Sequence, residues 1–426
     1  MKKVYRNATV LDGTKNMVEK VADILVEDGV IKKVGVVSEK CAEVDCQGKF
    51  IIPGLINLHV HIPANGFPKD KPTDNKKLVK ILMSNGFTRW VGKKIMEEPM
   101  VKDELFSGVT TFRAVGGVGH YDSETRDAIN ASKLVGPRMI VCDSAVTIPN
   151  GHMEGTVAIG CHSDEEFIEK IEENIKAGVD WIKIMITGGV LDATVRGEPG
   201  EMKMNAHQVK ICCDTAHKHG LKVCAHVESP MGIKVALENG VDTIEHGAAM
   251  DDETLKMFID KGASLVCTIS PTVPLAKFDP EVSKATEVQI YNTEVLFNGI
   301  LEATKKCLNA GVTVGLGTDV GCPFVTHYDM WRELEYTHKL VGIDRLRVLH
   351  IATLVNASII GVDKETGSIE EGKSADFIIL NSNPMDGFDA IRDPRMVVFK
   401  GKEYTQKPKK NEICEKYLDE YLNKLN

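Results

Sequence analysis

"PGLINLHVHI", residues 53–62, is an apolar run that ends in two histidines one residue apart. Side chains alternate along a strand, so residues two apart share a face. On that rule Ile56, Leu58, Val60 and Ile62 take one face, and Asn57, His59 and His61 take the other. Apolar outward against helices and polar inward is the pattern of a strand in a closed parallel barrel.

Working outward, residues 54–362 alternate short apolar strands with helical stretches, the signature of repeated βα units around a parallel sheet. Eight strand candidates follow one another: "LINLHVH", "VTTFRAV", "MIVCDSAVT", "WIKIMIT", "KVCAHV", "TIEHG", "SLVCTIS" and "VTVGLGTD". Eight is the number a (β/α)8 TIM barrel requires. Helix ends are marked as well: Asn205 precedes "AHQVKICCDTAHKHG", which stops at Gly220 with His and Lys in its last turn. Residues 1–53 and 363–404 carry β-type runs and turn signals instead, and are expected to pair as a small discontinuous β-sandwich beside the barrel. Residues 405–426 close the chain, with "CEKYLDEYLNKLN" as one amphipathic helix.

Alternation places further polar groups inside. In "DWIKIMIT" it turns Ile182, Ile184 and Ile186 outward and Lys183 inward with Trp181 and Met185. In "KVCAHV" it turns His226 inward, and in "VTVGLGTD" it leaves Gly315, Gly317 and Asp319 inside. The sixth strand fits less well, because turning His246 inward takes Ile244 with it and sends Glu245 towards the helices. Singly, each has an ordinary explanation: a lysine snorkelling at a rim, a satisfied core histidine, an aspartate capping a loop. Together, on strands one, four, five, six and eight, they are too costly to bury unless they bind something. Four imidazoles and a carboxylate suit zinc or a similar divalent ion, and each closes its strand at the carboxyl end, where barrel enzymes place their sites.

Composition is ordinary for a soluble globular protein: 43% hydrophobic, 27% charged, and a net charge of -9 scattered rather than blocked. No basic stripe points to nucleic acid, and no apolar run reaches membrane-spanning length. The amino terminus turns polar where a secretory signal would continue apolar, so a cytoplasmic location is expected. Eleven cysteines, without any C-x-x-C pair, read as reduced and mostly buried thiols.

The chain resembles the amidohydrolase superfamily, specifically its imidazolonepropionase-like and prolidase-like branch. The resemblance runs through "IIPGLINLHVHI", "GVTTFRAVGG", "LVGPRMIV", "GVDWIKIMITGGV", "KVCAHVES", "GVDTIEHG", "GLGTDVG" and the closing "GSIEEGKSADFIIL". It implies that His59 and His61 bind one metal, that His226 and His246 bind a second, and that Lys183, carboxylated by CO₂, bridges the two. Asp319 would contact the first metal and a bridging hydroxide, and act as general base and then acid. Carbamate formation needs an uncharged amine, which burial favours. Lys183 points to the two-metal, prolidase-like side, since relatives of imidazolonepropionase itself usually work with one metal and no such lysine.

The implied reaction is hydrolysis of an amide-type C–N bond in a dipeptide, N-acyl amino acid or cyclic amide. Metal binding lowers the pKa of water from about 15.7 towards about 7, which yields a hydroxide at neutral pH. Gly151 and His152 match a Gly-His pair in the family whose histidine lies near the scissile carbonyl. Many peptidase members carry a tyrosine and a cation after the strand-five histidine to hold a carboxylate. Here "HVESPMGIK" offers Glu228 instead, which suits a cationic or amine-bearing substrate. Arg196 in "LDATVRGEPGE" and His327 after strand eight are further substrate-contact candidates, and His120 is another histidine of the strand-end loops. His207, His217 and His219 are expected to face solvent. Related hydrolases are commonly oligomers, so a homo-oligomer is expected. Two other readings stay open: a one-metal deaminase or imidazolonepropionase-type hydrolase in which Lys183 remains an amine, and a binding or scaffold protein without the chemistry.

Overall fold

In a computed structural model, residues 2–69 and 73–425 are described, so residues 1 and 426 at the ends of the first and last expected segments lie outside the description. The two ends of the chain build one eight-stranded sheet. Strand Phe50–Pro53 pairs antiparallel with Phe377–Leu380 and parallel with Lys2–Val10. Strands Met396–Phe399 and Lys402–Tyr404 extend one edge, and Lys20–Glu27 and Val30–Gly35 the other. The last two join through Asp28 and Gly29, both with positive φ (52° and 81°), the backbone a two-residue hairpin needs to match strand twist. Tyr5 of the amino-terminal segment meets Phe377 of the carboxyl-terminal segment edge-on at 4.9 Å.

The middle of the chain is α/β with parallel sheets. Strands Leu55–Val60, Val109–Ala114 and Arg138–Val141 form one. Ala158–Gly160, Ala145–Thr147, Trp181–Met185, Lys222–Val227, Thr243–His246, Ser264–Cys267 and Val314–Leu316 form the other. Backbone hydrogen bonds link the two at both ends: Asp319 N–H to His59 O (2.9 Å) and His61 N–H to Val320 O (3.1 Å), and Asp180 N–H to Val141 O (2.8 Å). Every segment expected as a strand contains one. The third, "MIVCDSAVT", is split in two by Asp143, whose φ of 54° breaks the extended run.

Alternation holds on strands four, five and eight. Ile182, Ile184, Ile186, Val223, Ala225, Val227, Val314 and Leu316 join the large cluster beneath the helices, while Trp181, Cys224 and Val266 join a separate inner one. The first strand departs from expectation. Asn57 pairs with Phe112 but Val60 pairs with Ala114, three residues against two, so one residue is extra. Such a bulge flips the phase of the strand. Ile56 and Leu58 therefore pack in the inner cluster, and Asn57, expected inward, instead exchanges hydrogen bonds with Thr318 (2.8 and 3.0 Å). Beyond the bulge the expected phase is restored: Val60 and Ile62 pack under the helices, and His59 and His61 turn in.

Helix Ala206–Lys218 starts from a full capping box at Asn205 and Gln208, and its carboxyl end carries His217 and Lys218, as expected. Helix Glu412–Lys424 closes the chain, capped by Asn411, with Cys414, Leu418, Tyr421 and Leu422 buried. All eleven cysteines are free, and only Cys41 and Cys322 are not buried. No helix among the described residues is long and apolar enough to cross a membrane.

Candidate metal centre and substrate side

Four imidazoles meet at the carboxyl ends of the strands. Ring centroids lie 5.2 Å apart for His59 and His61, 4.7 Å for His59 and His246, and 4.7 Å for His226 and His246. Each ring spends one nitrogen on an outer partner. His61 Nδ1 donates to Gly116 O (3.0 Å) and His226 Nε2 to Gly188 O (3.1 Å). His59 Nδ1 donates to Glu245 Oε2 (2.8 Å), and His246 Nδ1 meets the Thr268 hydroxyl (2.7 Å). Carbonyl and carboxylate oxygens only accept, so for His59, His61 and His226 the proton sits on the nitrogen that makes the contact and the opposite nitrogen is left bare.

His59 Nε2 is buried without a hydrogen-bond partner, and His59 Nε2 and His61 Nε2 each lie 3.3 Å from the same atom, Asp319 Oδ1. Two lone-pair bearers at that distance repel unless positive charge lies between them. A proton on His59 is disfavoured: burial first, then the field of Lys183, pushes its pKa down to about 4. Burial also holds His226 and His246 well below the ordinary histidine range, with His152 next for the former and His59 for the latter. Burial alone would raise Asp319, yet His59, His61 and His246 around it hold it well below the usual carboxylate range. A divalent cation satisfies all of these groups at once. His59, His61 and Asp319 bring one donor atom each within 4.8 Å of one another, and so do His226, Glu228 and His246. Nitrogen and carboxylate donors in such sets suit zinc or a similar ion.

Lys183 is 1% exposed and its Nζ has no hydrogen-bond partner. Its charge acts on His59, His226, His246 and Glu245 together, so it lies among both groups of donors. A buried, unpartnered ammonium is costly, and neutralisation or conversion to a carbamate removes that cost.

The sixth strand corrects the alternation argument. Ile244 packs outward with the helix-side cluster and Glu245 points in, fully buried. His246 has φ of 67°, and this left-handed residue breaks the alternation, so two consecutive side chains reach the interior. Glu245 is the group that orients His59, and Arg113 holds Glu245 in turn: Nη2 to Oε1 is 2.7 Å. The Arg113 guanidinium also reaches Leu58 O (3.0 Å) and Thr243 Oγ1 (3.2 Å), and lies 4.8 Å from the Trp181 ring centroid. Sequence reasoning passed over Arg113, although it stands at an inward position of "VTTFRAV" where a charge needs a partner.

On the substrate side, His152 stacks face to face on His226, with centroids 4.1 Å apart and planes at 12°. Its Nδ1 contacts the Asp192 carboxylate. Glu228 is buried, its Oε2 accepts from Val190 N–H (2.9 Å), and its Oε1 lies 4.0 Å from His226 Nε2. Burial, with Asp319 and Asp192 nearby, raises Glu228 well above the usual carboxylate range. Arg196 is exposed, with its guanidinium 4.2 Å from the centroid of the Tyr291 ring. His327 is a correction: it is 3% exposed and spends both ring nitrogens internally, on Glu104 Oε1 (3.0 Å) and Ala64 O (2.9 Å), leaving none for a substrate. His120 is tied to Asp143 (3.0 Å). His207, His217 and His219 are exposed, as expected.

Ochratoxinase of Aspergillus niger is 26% identical to this chain over 327 residues, which are 70% of this chain and 66% of that enzyme, so the match spans just under two thirds of its length. Among solved structures, a Bifidobacterium longum protein assigned as a prolidase has a TM-score of 0.85 and 35% identity, covering 98% of each chain. A Xaa-Pro dipeptidase with bound methionine in its active site has a TM-score of 0.82 and 25% identity, covering 95% of this chain and all of that one. A family model described as "Amidohydrolase family" matches residues 50–404, most of the chain, and the protein therefore belongs to the amidohydrolase family of hydrolases.

Proposed function

We propose that this protein is a binuclear metal-dependent amidohydrolase that cleaves an amide-type C–N bond in a dipeptide, N-acyl amino acid or cyclic amide. The carrying observation is the convergence of four imidazoles and one carboxylate oxygen beside a buried amine, with His59 Nε2 and Lys183 Nζ both left without a hydrogen-bond partner. In this reading His59, His61 and Asp319 would hold one ion, His226 and His246 would hold the other, and Lys183, converted to a carbamate, would offer an oxygen to each. The two parallel sheets are then arcs of one (β/α)8 barrel over residues 54–362, which the hydrogen bonds at both sheet ends support. Residues 1–53 and 363–404 make the accessory β-sandwich, and residues 405–426 the carboxyl-terminal tail with its helix.

When bound, the ions supply Lewis acidity towards the substrate carbonyl and a nucleophilic hydroxide at neutral pH. The chain's own residues do the rest. Asp319, whose pKa lies well below the usual carboxylate range, accepts the proton released from water and delivers it to the leaving nitrogen. Glu245 and Arg113 keep His59 in the tautomer that presents Nε2. Glu228 favours a substrate that carries an amine, because a cation beside it restores its charged form. Relatives named for prolidase and Xaa-Pro dipeptidase activity support a dipeptide among these amides.

The experiment is metal analysis of the purified protein, followed by a screen across dipeptides, N-acyl amino acids and cyclic amides. Two ions per chain, with loading dependent on CO₂, agree with the proposal. One ion without CO₂ dependence replaces it with the mononuclear deaminase or imidazolonepropionase-type reading. None, with no hydrolysis, leaves a binding protein. Assaying Glu228→Gln against neutral and basic amides tests the amine preference, which an unchanged ratio removes.

Self-association is part of the proposal. Helices Asn75–Leu82 and Gly86–Met96 expose Ile81, Phe87, Trp90 and Ile95, at 50, 72, 54 and 64%. Apolar surface of this kind marks association sites. Sedimentation of wild type beside Phe87→Ser/Trp90→Ser checks it, the variant being expected to dissociate. A cytoplasmic location also belongs to this reading, and fractionation of the source cells tests it.

A further inference from the structure

Segment 188–192, "GGVLD", touches the substrate side of the site at four of its five residues. Gly188 O accepts from His226 Nε2 (3.1 Å), and Val190 N–H donates to Glu228 Oε2 (2.9 Å). Gly189 lies against the His152 ring so closely that a Cβ there would come 2.6 Å from His152 Cε1. Asp192 contacts His152 Nδ1 and closes a turn with its own N–H on Gly189 O (2.9 Å). The segment is tied down from outside by helix Glu287–Ala310: Gln289 Nε2 donates to Leu191 O (3.1 Å), Asn292 Nδ2 to Val195 O (2.8 Å), and Gly197 N–H to Asn292 Oδ1 (2.7 Å). Asn292 is fully buried, which anchors its two contacts in the body of the helix.

The consequence falls on His152. Its ring has the His226 ring on one face, Gly189 at one edge and a carboxylate on Nδ1. A carboxylate there demands the proton on Nδ1. Nε2 is then the free nitrogen, on a ring that covers a histidine of the metal cluster. We propose that Asp192 is a positioning residue which fixes the tautomer and plane of His152, so that Nε2 faces the reacting amide. Gly189 is its steric counterpart, since any side chain at 189 would push the ring away. This inference rests on the hydrolase reading above and adds the group that aims the histidine.

The test uses the full-length protein loaded with zinc, in wild type, Asp192→Ala, Asp192→Glu, Gly189→Ala and the Asp192→Ala/Gly189→Ala double variant. Three readouts are taken: metal content, kcat and KM on the best amide of the screening panel, and the ¹⁵N shifts of the His152 ring, assigned with His152→Asn. Wild type should show a protonated Nδ1 and a bare Nε2, and Asp192→Ala a mixture of tautomers. Loss of an orienting partner of this kind typically costs about 10–100-fold, here expected in kcat with metal content unchanged. Asp192→Glu should recover part of it. Because both changes act on one ring, the double variant should be little worse than the poorer single. The proposal is overturned if Asp192→Ala leaves the ring shifts as in wild type, or leaves kcat unchanged, or lowers it only by losing metal. The nitrogen shifts report on Asp192 whether or not the substrate is known. A wild type without metal would instead refute the hydrolase reading.

Discussion

The imidazole of His59 and that of His152 belong to one cluster, yet they are held by different means. His59 sits at the end of a strand, 1% exposed, and a buried chain of charges from Glu245 to Arg113 stands behind its Nδ1. His152 sits in a loop and is held by one carboxylate, one ring face and one glycine, all but the ring face supplied by another loop. The strand-borne half of the site is fixed by the core of the fold, so disturbing it should cost metal and stability. The loop-borne half is fixed locally, and disturbing it should cost turnover or selectivity alone.

The sharpest break should come at Asp319, which belongs to the strand-borne half but does chemistry. Asp319→Asn keeps an oxygen for the ion and removes the proton acceptor, so turnover should fall about a thousandfold. Metal content should be largely spared. If Asp319→Asn turns over at near wild-type rate, the assigned role is wrong.

Arg113 tests the buried chain of charges itself. Arg113→Met leaves Glu245 buried without its cation, and breaking a pair in this way typically costs about 3–5 kcal/mol. A lowered unfolding midpoint is expected, together with about 10–100-fold weaker metal binding as His59 loses its fixed partner. Glu245→Gln should reproduce the loss of metal affinity. Metal titration and thermal unfolding measure both. Unchanged affinity in both variants would mean that His59 needs no orienting partner.

What was legible in the sequence follows the same division. Strand periodicity and the ligand residues at strand ends could be read because a two-residue repeat and burial act together on every strand. The reading failed where the backbone leaves that repeat. The bulge between Asn57 and Val60 moved Ile56 and Leu58 to the inside, and the left-handed His246 brought Glu245 in beside it. The bulge has no glycine or proline to mark it, and Gly247 after His246 marks the end of the strand without showing that Glu245 turns in. The loop contacts were less visible still. Asp192 and His152 are forty residues apart and meet only because the loops after two different strands fold together. His327, which shares the residue type of the ligands, is spent on Glu104 and Ala64, and no spacing announces that.

Acidification probes the strand-borne half through its protons. His59 titrates at about 4 in the fold against 6.5 as the ordinary value. Above pH 6.5 it is neutral in both folded and unfolded chains, and its contribution to stability is fully present. Between pH 6.5 and 4 the unfolded chain takes up a proton that the folded chain refuses, so the contribution is lost as pH falls. The shift corresponds to about 3 kcal/mol. Other buried groups of opposite sign, such as Glu333, raised to about 7 by burial, cancel when two variants are compared. The stability gap between metal-free wild type and metal-free His59→Asn should therefore narrow by that amount from pH 6.5 to 4. A constant gap would show that His59 is not held neutral by its surroundings.

Arg196 gives the smallest and most discriminating effect. Its sequence position, in the long loop after the fourth strand, suggested a clamp for a substrate carboxylate. In the fold it is exposed and stacked on Tyr291, an exposed contact worth about 0.5–1 kcal/mol. If it stays there, Arg196→Ala should lower the unfolding midpoint slightly and change KM by less than about fivefold, which is what 1 kcal/mol allows. A charged clamp on a carboxylate would instead cost about 2–5 kcal/mol in binding, a KM increase of well over tenfold. KM measured with a free-carboxylate substrate and with its amide separates the two. A large increase confined to the free acid would mean that the loop closes and carries Arg196 inward, making this part of the loop a moving half opposite a fixed strand-borne one.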